Sequence, residues 1–137
     1  MTQASTRKPD IDIDDDVLSI ILHYPPLTAD RHHIHIKVQD GIVSLSGHTS
    51  NPISRKYLVD KVAEIPGLVG VSADMLYDEA SISLKAGQVI PPGVLVNVRY
   101  GVVLLSGKLP PEVDADSLAM RVAEIPGVVR VVTNFST

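Results

Sequence analysis

The six residues VAEIPG stand at Val62 to Gly67 and again at Val122 to Gly127, sixty positions apart. The same offset carries Val38 onto Val98, Gly41 onto Gly101, Val43 onto Val103, Leu45 onto Leu105 and Gly47 onto Gly107, without a gap. Fifteen of the forty-two residues from Ile34 to Met75 recur in this way. Internal similarity at a fixed period sets the size of the folding unit. A chain of 137 residues has room for two such units, each very small for a hydrophobic core.

Both copies carry the same hydrophobic rhythm. In IHIKVQDGIVSLSG, Ile34, Ile36 and Val38 alternate with polar residues, Asp40-Gly41 follows, and Val43 and Leu45 alternate again. Period-two runs around Asp-Gly predict a β-hairpin, because Gly accepts the positive φ of a tight primed turn. The second copy, VLVNVRYGVVLLSG, keeps the Gly but places Tyr100 before it. A helix is predicted next in each copy. Pro52 and Pro111 suit its first turn, and Asn51 suits the N-cap of the first. Ile53, Leu58, Val62 and Ile65 share one helical face, as do Leu118, Val122 and Ile125. Pro-Gly ends the helix, and LVGVSADM or VVRVVTNF supplies a third strand. A strand–helix–strand connection of this length implies parallel pairing with a right-handed crossover.

The expected fold class is therefore α+β: two tandem αββαβ units, each a three-stranded mixed sheet with a helix on one face. Before the first hairpin, an Asp cluster opens a helix whose stripe is Val17, Leu18, Ile21 and Leu22, and Pro25-Pro26 stops it. Residues 1–10 read as a mobile tail, 11–77 as the first domain and 94–137 as the second. The segment 78–93 reads either as a linker or as a degenerate first helix. Ala80, Ile82, Leu84 and Ala86 alternate like a strand, whereas Asp78 and Gly87 suit helix caps.

This pattern resembles the BON domain, a bacterial αββαβ module of roughly sixty residues. The resemblance rests on Gly41, Val43, Leu45, Gly47 and Ile65 to Val71, and again on Gly101, Val103, Leu105, Gly107 and Ile125 to Val131. It implies a non-enzymatic binding or adaptor module that mediates protein interaction or oligomerisation. Its members occur in osmotic-stress and transport-associated proteins. The alternative it leaves open is binding of a small ligand, an ion or a phospholipid headgroup.

The composition narrows the functional classes. The chain has no Cys, which excludes disulfides, thiolate catalysis and cysteine metal sites. It has no block of Lys and Arg and no Trp, so nucleic acid is not an expected partner. Arg55, Lys56 and Lys61 on the predicted helix are the best candidates for an anionic lipid surface. No Ser-His-Asp pattern, phosphate loop or HExxH appears, and no cofactor is implied. The acidic run Asp12, Asp14, Asp15 and Asp16 lacks the spaced Gly and distal Glu of a calcium loop. MTQASTRKPD has no apolar stretch behind its basic pair, and no transmembrane segment is expected. The expected location is cytoplasmic, or periplasmic if a secretory leader has been removed.

Two surfaces remain as candidate sites. A two-residue turn at Asp40-Gly41 pairs Val38 with Val43 and Ile36 with Leu45, and sets His33 opposite His48. His33, His35 and His48 then share the face away from the core, a spacing open to Zn²⁺ or Ni²⁺. In the second copy, inward Val98, Val103, Leu105, Val129 and Val131 leave Leu95, Val102, Leu104, Val128 and Val132 on the outer face. His35, Ser44 and Ser72 of the first copy have become Leu95, Leu104 and Val132. That outer face is expected to be an interface, within the chain or to another subunit.

Overall fold

Helix α1 (Asp10–Leu22) starts with Asp10 and Asp12 in its first turn, where carboxylates favour the helix dipole. The computed structural model describes residues 8–136. Most of the expected mobile tail, residues 1–7, lies outside the described residues, and its last member, Asp10, already belongs to α1. The buried stripe of α1 is Ile13, Val17 and Ile21. Leu18 and Leu22, expected in that stripe, stay exposed, because only one narrow face rests on the sheet and on the next helix. Pro25-Pro26 ends α1 and also opens a further helix, α2 (Pro25–Asp30), since proline's fixed φ suits a first turn.

A single 3₁₀ turn, Arg31–His33, leads into β1 (Ile34–Gln39) and β2 (Ile42–Thr49). These pair antiparallel with Val38 opposite Val43 and Ile36 opposite Leu45. Asp40 and Gly41 both have positive φ, 54° and 79°, as a primed turn requires. Helix α3 (Pro52–Ala63) follows, and the Asn51 carboxamide oxygen accepts from Ser54 N at 2.8 Å. Leu58 and Val62 are buried, but Ile53 is exposed and Ser54 is buried in its place. The expected face was thus displaced by one residue at the helix start. Strand β3 (Gly70–Asp78) runs parallel to β2, with a register shift between Ser44 and Ser46.

The segment after β3 is a helix, not a linker. In α4 (Glu79–Gly87) the Asp78 carboxylate accepts from Ser81 N at 2.8 Å and from Ser81 Oγ at 2.9 Å, capping the first turn. Ile82 and Ala86 are buried one turn apart while Leu84 is exposed, which is helical and not strand periodicity. The second hairpin, β4 (Val94–Arg99) and β5 (Val102–Lys108), repeats the first register, with Val98 opposite Val103. Helix α5 (Ala115–Ala123) begins later than Pro111 suggested. A turn from Pro110 to Val113 precedes it, and Asp114 is its N-cap. Strand β6 (Arg130–Ser136) lies parallel to β5.

The protein is α+β, with two three-stranded mixed sheets ordered β1-β2-β3 and β4-β5-β6. Each unit has its own core. Ile13, Val17, Val43, Leu45, Leu58 and Leu76 fill the first, and Ile82, Val103, Leu105, Leu118 and Val122 fill the second. Burying one such Leu or Ile contributes about 1.5–3 kcal/mol. Val128 and Val129 exchange the places expected for them: Val128 packs on the second core and Val129 is exposed. Both precede β6, where Val128 N donates to Ile125 O and Val129 N to Gly101 O, so the strand's alternation has not yet begun.

Candidate functional site

The two units meet at a seam built from opposite ends of their sheets. On the first unit, the 3₁₀ turn places His33 ahead of β1, while β2 continues to His48, paired with Tyr77 of β3. On the second, the β4–β5 turn projects Tyr100 at φ 48°. A bulky residue in the left-handed region is an outlier, since its Cβ crowds the backbone. The Tyr100 ring lies flat on His33, with centroids 3.6 Å apart and planes 7° apart. Its hydroxyl donates to Asp30 Oδ1 at 2.8 Å, across the seam.

Asp30 is fully buried at the end of α2. Besides Tyr100 it accepts from Ser50 N at 2.8 Å and from Ser50 Oγ at 2.5 Å. A buried carboxylate needs such donors, because desolvation is otherwise uncompensated. His48 Nε2 donates to Gly127 O at 2.6 Å, since a carbonyl oxygen can only accept. His48 and Tyr77 occupy the space that side chains at Gly101 and Gly127 would need.

Burial first, and then the hydrogen bond to Asp30, raise the Tyr100 hydroxyl above its ordinary value of 10.0. A raised acid holds its proton more tightly in the folded state. Its stabilisation is complete below pH 10.0 and is lost as pH climbs through the raised value. Tyr100→Phe is therefore expected to lower stability by about 1.5–3 kcal/mol at neutral pH. Above pH 10.0 the wild type should lose part of that margin, so that the gap between the two melting curves narrows there. Melting scans at pH 7, 9, 10 and 11 check this, and a constant gap up to pH 11 would refute it.

The three histidines do not gather into a metal site. His33 is stacked on Tyr100, and His48 Nε2 is committed to Gly127 O. Among the described residues, no group of three His, Cys, Asp or Glu side chains is placed to hold a metal ion. The expected His33, His35 and His48 ligand set is broken up by contacts from the second unit at His33 and His48, while His35 stays exposed. The cations considered for a lipid surface are engaged too. Arg55 donates to Leu76 O and Ala73 O, and Lys56 and Lys61 pair with Asp60 and Glu64.

Of the outer-face residues, Leu95, Leu104 and Val132 lie open on the second sheet, with Leu95 64% exposed. Leu104 and Val132 are cross-strand neighbours. Val102 is half-buried at the seam, and Val128 faces inward. Tyr100, Asp30, Tyr77 and Arg99 are seam residues that the sequence reading did not select. The available signal was Tyr100 itself, a tyrosine where a primed turn wants Asn, Asp or Gly.

The BON domain matches residues 9–79, from the residue before α1 to the first residue of α4. The chain belongs to the BON domain family. The matched span is the first unit; the second unit of this BON protein repeats its strand, strand, helix, strand order outside that span. Among solved structures, the C-terminal domain of CdsD, the structural protein of the type III secretion system of Chlamydia trachomatis, is similar at 14% identity and a TM-score of 0.38. The alignment covers 93% of this chain and 98% of that one. A second structure of CdsD is similar at 14% identity and a TM-score of 0.36, covering 90% and 91%. Nothing among the curated proteins matches the chain.

Proposed function

We propose that this protein is a non-enzymatic module of two BON-type units in tandem, which binds protein through the outer sheet face of its second unit and self-associates there. BON family membership supports a binding role. The observation that carries the surface is the contrast between the two sheets. The open face of the second presents Leu95, Leu104 and Val132, where the first presents His35, Ser44 and Ser72. The helical side of each sheet is already occupied by its own core. An apolar face with no role inside its own unit is a point of association, and two such faces pack about 10 Å apart around a two-fold axis.

Leu104→Lys tests this. Each buried Leu contributes about 1.5–3 kcal/mol, so a lysine on both sides of a two-fold contact should shift the sedimentation distribution to monomer. Wild-type and variant chains sedimenting identically as monomers up to about 100 μM would remove the proposal.

A further inference from the structure

We infer that the groove at the seam is a binding site for a small organic oxyanion, with Arg99 as its charged anchor. The groove is open to solvent and offers about 660 Å³, within the volume range of small-molecule sites. It exists only where the two units meet: His33, His35 and His48 line one side, and Arg99, Val102 and Val129 line the other. Among the described residues no Asp or Glu lines it, although the chain carries a net charge of −4.

Arg99 ends β4 on the outward side and stands 5.9 Å from the Tyr100 ring. Among the described residues it makes no ion pair, and no hydrogen bond engages its guanidinium. The nearby carboxylate of Asp30 is already occupied by Ser50 and Tyr100. The guanidinium therefore keeps its planar fork of donors free, a geometry that matches the two oxygens of a phosphate or carboxylate. His35 is exposed beside Gly47 and adds a second polar group across the groove. A metal ion would be repelled by Arg99, whereas an anion meets donors from both units. Val102 and Val129 give the site an apolar wall, so an oxyanion attached to a compact apolar group fits better than a bare ion.

The test is an amide-resolved NMR titration of the full chain at low salt with phenyl phosphate, with benzyl alcohol as its neutral counterpart. Saturable shifts are expected at Gly47, Gly101, Val102 and Val129 with the phosphate and not with the alcohol. Arg99→Gln should weaken binding about tenfold or more, as expected for loss of a charge-assisted bidentate contact. His35→Ala, scored in parallel, should weaken it less, and the amide spectra of both variants report whether the fold is kept. Co-sedimentation with phosphatidic acid vesicles that Arg99→Gln abolishes would place the oxyanion on a lipid. Phenyl phosphate binding without co-sedimentation would place it on a soluble molecule. The inference is overturned if no saturable shift appears by about 10 mM, if the alcohol shifts the same amides equally, or if Arg99→Gln binds as the wild type does.

Discussion

Alanine at Gly47 is expected to destabilise the protein by about 3 kcal/mol or more, enough to depress the melting temperature by roughly 10 °C. A Cβ at this position would lie 2.0 Å from the His33 carbonyl oxygen. That oxygen belongs to backbone held between the 3₁₀ turn and β1, so no side-chain rotation relieves the clash. The φ of Gly47 is +104°, a conformation that strains alanine whatever the surroundings. Two independent penalties fall on one residue, and both lie beside the seam. Gly70 is the control. A Cβ there meets nothing within 4 Å and its φ is ordinary, so Gly70→Ala should be neutral or stabilising by about 0.4–1 kcal/mol. Urea unfolding of both variants decides the matter. If they unfold at the same midpoint, the approach of His33 to β2 is not as described.

Asp30→Ala should cost about 3–5 kcal/mol, because three donors lose a buried acceptor at once. Ser50 N and Ser50 Oγ lie within the first unit, but the Tyr100 hydroxyl arrives from the second. The variant should therefore weaken the first unit and loosen the seam together. A double-mutant cycle with Tyr100→Phe separates the two effects. The pair should be non-additive by about 1 kcal/mol or more, since the Tyr100 contact can be lost only once. Strict additivity would mean that the seam hydrogen bond is not formed in solution. Asp30→Asn, which retains an acceptor oxygen, should fall between wild type and Asp30→Ala.

The parts of the fold legible in the sequence are those specified by local chemistry. Both hairpin registers follow from alternating Val, Ile and Leu around Gly41 and Gly101, because a slip by one residue would expose the core. The Asn51 cap and the parallel third strands follow from equally local signals. What escaped depended on context. The Pro25-Pro26 pair signals a stop, yet proline closes one helix and opens another with the same fixed φ. Strand alternation turns Val128 outward and Val129 inward, but the turn after Pro126 resets the phase just before β6. Strand register sets His33 opposite His48, but it carries no information about what each ring meets. His33 meets Tyr100 and His48 meets Gly127, contacts spanning 67 and 79 positions that no periodicity encodes.

Asp78 belongs to both halves of the molecule. It closes the β2–β3 ladder opposite Thr49, and its carboxylate caps α4. The repeat is therefore not a pair of interchangeable cassettes. Cutting before Asp78 takes the last rung from the first sheet, and cutting after it leaves α4 without its cap. The two units are welded at this residue, and shuffling either half into another protein would require the weld to be rebuilt.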